Sequence, residues 1–287
     1  MARGRKYSVL GLAFASLSLV IVSLSAAQSQ ERERVAEGKY GRFKSGLPAE
    51  KEPSQSWTLW RTPQGGFELV DQFVIADPAA QLALALGPKL LSREMRQELQ
   101  EEVEQDELDV TLSPQKQPES LRIRGKRLLD GKPVDIVICS IRDTETVCKG
   151  IKGDVTLKSR EAHRFFFSFP FPMLLTSFLK STPESPGQIA AMRLAGLELG
   201  ENPGKDKLTL VECDGKLTFL GRERYPLGTE SYNLNKYSLE ISRSRKRQKP
   251  LALTMWALPN GLVVAMESNV TPVERLQLVQ YQKYSDF

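Results

Sequence analysis

Apolar and polar residues alternate in short runs through most of this chain, and the runs stop at Gly, Pro, Asn or Asp, the pattern of antiparallel strands joined by tight turns. Residues 56–61 and 66–75 predict an opening hairpin about Thr62-Pro63-Gln64-Gly65, ended by Asp77-Pro78. From Asp109 onward the runs 109–112, 120–129, 132–141, 145–151 and 153–159 follow one another across Asp130-Gly131, Asp143-Thr144 and Lys152-Gly153. Their regular spacing predicts a meander. Thr182-Pro183-Glu184-Ser185-Pro186-Gly187 interrupts it, and it resumes with 188–199, 206–213, 216–225, 230–242, 251–257, 261–267 and 274–284. Asn260-Gly261 is a strong hairpin signal and joins the runs on either side of it.

Three segments read as helical instead. These are 78–87, 92–107 and the short 172–180; the second carries Met95, Leu99 and Val103 at four-residue spacing under an acidic outer face. The expected fold is therefore mainly β, an antiparallel curved sheet or half-barrel packed on two or three helices.

The N-terminus has a different pattern. Arg3, Arg5 and Lys6 precede an uncharged stretch from Tyr7 to Ala27, and Ser25-Ala26-Ala27 offers a small-residue cleavage site. Residues 1–27 are read as a signal peptide, with an uncleaved anchor as the alternative. Residues 28–56 hold Glu31-Arg32-Glu33-Arg34, several Gly and Pro and few large apolar side chains, which predicts a flexible linker. Residues 57–287 are expected to form a single β-rich domain with no membrane span. The predicted location is outside the cytoplasm, in a periplasm or the extracellular medium.

Charge narrows the partners. The formal net charge is +5, but without the leader's three basic residues 37 Lys+Arg face 35 Asp+Glu. So small a balance leaves no basic footprint for nucleic acid. Cys139 and Cys148 lie in two runs around Asp143-Thr144; taking that pair as the turn places Arg142 opposite Glu145 and Cys139 opposite Cys148. That register predicts a disulfide between them with Cys213 free, the alternatives being a bridge through Cys213 or none.

Recognisable catalytic chemistry is sparse. With His163 the one histidine and three separated cysteines, a zinc site is not expected. There is no P-loop, dinucleotide fingerprint or serine elbow, so no cofactor, no metal and no catalytic residue is assigned. A Cys213–His163 pair is weighed against a structural histidine, and the structural reading is preferred. Glu223 and Glu267 are the carboxylates best placed for chemistry, against the plainer reading that both lie on the wet face of strands.

Two segments stand out. Phe165, Phe166, Phe167, Phe169 and Phe171 crowd one stretch that continues through Met173 to Leu175, and alternation does not account for it. It is either a loop capping the core or the mouth of a site for an apolar ligand, with Phe165, Phe167, Phe169, Phe171 and Met173 as candidate contacts. Arg243, Arg245, Lys246 and Arg247 form a basic tip, either solvated or in contact with anionic headgroups or an acidic protein. Asn269-Val270-Thr271 fits a glycosylation sequon, made less usable by Pro272.

The C-terminal pattern, with Tyr237-Ser238-Leu239-Glu240, Leu253-Thr254-Met255-Trp256, Asn260-Gly261-Leu262-Val263-Val264 and Glu274-Arg275-Leu276-Gln277-Leu278, resembles exported bacterial envelope proteins built as a curved antiparallel sheet. Such proteins are similar to the periplasmic lipoprotein-carrier half-barrels, and the resemblance implies an apolar cavity. The leading expectation is non-catalytic binding of a lipid or other apolar ligand in the concave face. A structural or assembly factor that binds another envelope protein comes second, and a hydrolase third.

Overall fold

The computed structural model describes residues 32–44, 47–49, 53, 55–75, 92, 102–167, 172–179, 185–199, 207–227, 230–242, 250–269 and 275–286. Its strands in chain order are β1 (Glu33–Lys44), β2 (Leu47–Pro48), β3 (Gln55–Arg61), β4 (Phe67–Ile75), β5 (Val103–Leu112), β6 (Pro118–Arg127), β7 (Pro133–Ile141), β8 (Glu145–Gly150), β9 (Gly153–Lys158), β10 (Arg164–Phe167), β11 (Ile189–Glu198), β12 (Thr209–Leu227), β13 (Glu230–Ser242), β14 (Leu251–Ala257), β15 (Val263–Ser268) and β16 (Arg275–Lys283). Among the described residues the one helix is α1 (Pro172–Leu179), so the expected packing on two or three helices is not what the fold uses. No helix among them is long and apolar enough to cross a membrane.

All sixteen strands belong to one sheet, in the order β10-β11-β12-β13-β14-β15-β16-β1-β3-β4-β5-β6-β7-β8-β9 with β2 beside β1. Every pairing is antiparallel except β10 with β11. The sheet is large, curved and open, since β9 and β10 are its two ends and do not pair with each other.

The hairpin at the cysteines follows the expected register, with Cys139 opposite Cys148 and Arg142 N donating to Glu145 O at 2.8 Å. The two cysteines form the disulfide, and Cys213 is buried and takes no part in it. At the Asn-Gly turn Asn260 Oδ1 accepts from Leu262 N at 3.2 Å, closing an Asx turn between β14 and β15.

Three expectations change. The expected linker contains β1, which lies mid-sheet between β16 and β3. Its sequence looked too poor in large apolar side chains to order itself, but its neighbours supply the buried surface. A Cβ on Gly38 would stand 2.7 Å from Trp57 Cζ2, so the glycine leaves room for an indole from β3 to lie across the strand.

The expected helix at 92–107 ends in strand, because Val103 to Glu107 belong to β5. Its acidic residues face the basic residues of β6: Lys126 pairs with Glu104 at 2.7 Å, and Arg124 with Asp109 at 2.6 Å and with Glu107. Cross-strand neutralisation of this kind is not visible within one segment. Residues 78–87 and 93–101 lie outside the described residues.

The expected break at Asp214-Gly215 is absent, and β12 runs through it for 19 residues. Gly215 instead admits the side chains of Met192 and Leu194 from β11, which a Cβ there would meet within 2.9 Å.

Two hydrophobic clusters lie on opposite faces of the same strands. On β13, Tyr237, Leu239 and Ile241 enter one cluster while Leu234 enters the other. The cluster that holds Leu239 also contains Leu175, Phe178 and Leu179 of α1. The other fills the curve of β1 and β3–β8. Both faces are thus covered in this part of the sheet, which explains the crowding of phenylalanines at β10: Phe165 enters one cluster and Phe166 the other.

Candidate functional site

A cleft of about 500 Å3 opens between β13, β15, β16 and β1. Among the described residues its wall is formed by Phe43, Tyr232, Leu234, Leu258, Val264, Leu278, Val279 and Tyr281, with Gln277 and Gln280 as the polar residues and no charged side chain.

The cleft has a cause in the sheet. Among the described residues strands β15 and β16 pair over two positions, Ala265 with Gln277 and Met266 with Leu276, whereas β16 follows β1 for most of its length. Beyond Ala265 the two strands part. Tyr40 of β1 donates its hydroxyl to Val263 O at 2.6 Å, satisfying a carbonyl that the parting leaves without a ladder partner. A bulge lies close by: Lys39 pairs with Gln280 and Tyr40 with Leu278, leaving Val279 as the extra residue. Five successive residues, Gln277 to Tyr281, line one cleft where the strands part and the bulge falls, which regular alternation would forbid.

Behind Tyr281 runs a row of cross-strand partners, Tyr281, Gly38, Trp57 and Asp71. Trp57 packs between Tyr40 and Tyr281, its ring centroid 6.5 and 6.2 Å from theirs. Asp71 is fully buried, with Gln55 Nε2 donating to Oδ2 at 2.7 Å. Asp71 Oδ1 and Trp57 Nε1 have no hydrogen-bond partner among the described residues. Burial pushes the Asp71 carboxyl well above the ordinary carboxylate range, with the Gln55 hydrogen bond acting the other way. It also raises the Tyr40 phenol, helped by Asp71 and Tyr281.

At the other wall Gln277 joins a polar network. Tyr225 donates to Gln277 Oε1 at 3.1 Å and accepts from Arg275 Nη1 at 3.0 Å. Arg275 is held by Glu267 through Nε at 2.8 Å and Nη2 at 2.6 Å. Its guanidinium lies 5.4 Å from the Trp256 ring centroid, and Lys236 Nζ lies 5.1 Å from it. Lys236 and Trp256 Nε1 both donate to Glu223 Oε2, at 2.7 and 3.3 Å, and hold its carboxyl below the usual range. Burial raises the Tyr225 hydroxyl, partly opposed by Arg275.

A second depression, of about 490 Å3, is polar and is lined by Gln55, Ser56, Gln72, Asp106, Glu107 and Arg124 among others. Its charges are largely paired across β5 and β6.

No family model and no curated protein matches the chain. Solved structures are similar to it in arrangement. One is a β-barrel-like protein of a domain of unknown function, DUF1849, from Brucella abortus, with 12% identity, a TM-score of 0.47 and coverage of 88% of this chain and 99% of that one. Another is the hypothetical lipoprotein YmcC from Escherichia coli, with 11% identity, a TM-score of 0.30 and coverage of 96% and 98%. A third is a candidate exported protein with a YmcC-like fold from Bacteroides fragilis, with 12% identity, a TM-score of 0.29 and coverage of 88% and 97%.

The residues singled out from sequence are scattered by comparison. Phe165 is core, in the same cluster as Leu234, Val264 and Leu278 of the cleft. Phe167 closes β10 and Met173 lies in α1, while Phe169, Phe171 and the basic tip with Arg243, Arg245, Lys246 and Arg247 lie outside the described residues. His163 is buried with Nε2 2.9 Å from Thr146 Oγ1; burial lowers its pKa, opposed by Glu212 and Asp143. Cys213 belongs to the helix-covered cluster, on the face of β12 opposite Glu212. Glu223 and Glu267 do come together, around Trp256 and Tyr225, but each is bound to its own cation. Asn269 uses its amide in the fold, donating to Pro250 O at 3.0 Å and accepting from Ala252 N at 2.9 Å.

Sequence reasoning missed the cleft. One signal for it existed: apolar residues alternate as Leu276 and Leu278, then change phase to Val279 and Tyr281, which marks the bulge.

Proposed function

We propose that this is an exported envelope protein that binds an apolar ligand in the cleft between β13, β15, β16 and β1. The observation that carries this reading is a cavity of about 500 Å3 walled, among the described residues, by eight apolar or aromatic side chains and two amides, in the size range of small-molecule sites. It lies on the face of the sheet filled by the larger curve, and Tyr232 and Val279 at its edge are exposed apolar residues. Export is supported by the basic residues Arg3, Arg5 and Lys6 ahead of an uncharged stretch, and by the Cys139–Cys148 disulfide, a bond that persists in oxidising compartments.

The test is native mass spectrometry of the full-length gene product purified from the exported fraction, with organic extraction and titration with the fluorescent probe N-phenylnaphthylamine. A co-purifying apolar molecule, or saturable probe binding abolished by Val279→Asp with an unchanged circular dichroism spectrum, is the expected result. Val279 is 46% exposed, so the added carboxylate reaches solvent and the fold survives. A clean mass together with no probe uptake moves the weight to an assembly factor that binds another envelope protein.

A further inference from the structure

Arg275 donates to Glu267 on one side and on the other starts a chain of hydrogen bonds that runs in one direction through Tyr225 to Gln277 at the cleft wall. A guanidinium has donors only, so the Tyr225 oxygen must accept from Arg275 Nη1, and the single hydroxyl proton is left for Gln277 Oε1. Tyr225 keeps that proton at neutral pH because burial raises its pKa. A Gln side chain whose oxygen is fixed by a donor has its amide orientation assigned by the network. Gln277 therefore turns Oε1 toward Tyr225 and offers its two Nε2 protons elsewhere, and it is itself part of the cleft lining. Gln280, the other amide there, is exposed and outside the relay.

We infer that the cleft selects an apolar chain carrying a hydrogen-bond acceptor, a carbonyl or carboxylate oxygen, which Gln277 Nε2 recognises and which Arg275 and Tyr225 hold in register. This rests on the reading of the cleft as an apolar site and names the chemistry of its ligand. Size agrees with one chain: at the roughly 30 Å3 that a liquid water molecule occupies, about 500 Å3 holds on the order of sixteen non-hydrogen atoms. A carboxylate also profits from the guanidinium three hydrogen bonds away, although Glu267 offsets much of that charge. An ammonium head finds only donors at Gln277 and is disfavoured, because a polar group buried against its own kind goes unpaired.

The test compares three probes of one chain length, laurate, methyl laurate and laurylammonium, by displacement of N-phenylnaphthylamine from the full-length protein. Laurate and methyl laurate are expected to bind about tenfold more tightly than laurylammonium, a difference of about 1.4 kcal/mol. A preference shown by laurate alone assigns the acceptor as a carboxylate. Gln277→Leu should bind all three and lose the preference, and Tyr225→Phe should weaken it by releasing the amide. Gln280→Leu should keep it. Equal binding of the three by the unaltered protein, or an intact preference in Gln277→Leu, overturns the inference while leaving the apolar site standing. Failure of all three to displace the probe strikes the site itself.

Discussion

Replacing Asp71 with Asn isolates the linkage between this sheet and pH. The carboxyl is fully buried beside Trp57, with Gln55 as its hydrogen-bond partner, and burial raises its pKa well above the ordinary range. In the unfolded chain the same group titrates near 3.9. The folded state then binds more protons than the unfolded state at any pH between the two values, so stability is complete below the unfolded value and falls as pH rises toward the folded one. The slope over that window is about 1.4 kcal/mol per pH unit. Asn has nearly the shape of a protonated Asp and its Oδ1 can accept from Gln55, so at pH 4 the substitution should change stability by no more than about 1 kcal/mol. As pH rises the variant should gain on the parent by about 1.4 kcal/mol per unit until the folded carboxyl ionises. Urea unfolding of both proteins at half-unit steps from pH 4 to pH 8 reads the difference directly. A difference that stays flat, or that grows as pH falls, would show that Asp71 is ionised in the fold and that its environment has been misread.

Two further substitutions probe the frame. Tyr40→Phe leaves Val263 O, the acceptor of a 2.6 Å buried hydrogen bond, without its donor and should cost about 1–3 kcal/mol in urea unfolding, an unchanged midpoint counting against the parting of β15 and β16 described above. Joint replacement of Cys139 and Cys148 by Ser opens a loop of sequence separation 9 and should cost about 2.5 kcal/mol by loop entropy, read as a lowered thermal midpoint that reductant lowers equally in the parent.

What could be read from sequence was what neighbouring residues decide. The Cys139–Cys148 register follows from one short turn, and the Asn260-Gly261 hairpin from two residues and their flanks. The limits of β13 were likewise visible in apolar residues recurring between two breaks, with one change of phase between Leu234 and Tyr237. What escaped depends on strands far apart in the chain. Strand β1 is ordered by Trp57 and Tyr281, and the acidic run before Asp109 by Arg124 and Lys126. The Phe165–Phe166 pair made no sense until both faces of its strand were seen to be covered. The cleft exists because two strands part and a third reaches over with a tyrosine, a relation spanning 223 positions between Tyr40 and Val263. Glu223 and Glu267 were noticed as carboxylates, but their role in orienting neighbours could only be read with Lys236 and Arg275 beside them.

The place of β16 in the strand order governs how the chain can assemble. Among the described residues it is the one strand that pairs with both the arc from β10 to β15 and the arc from β1 to β9, and it joins residues 36–43 to residues 275–283. During synthesis each arc can form its own hairpins, yet the two have no shared ladder until β16 is made. Contacts this distant slow folding, because loop closure comes before the gain from pairing. Until then the facing edges of β1 and β15 are open to any other strand, and the two arcs become one sheet only once β16 has been made.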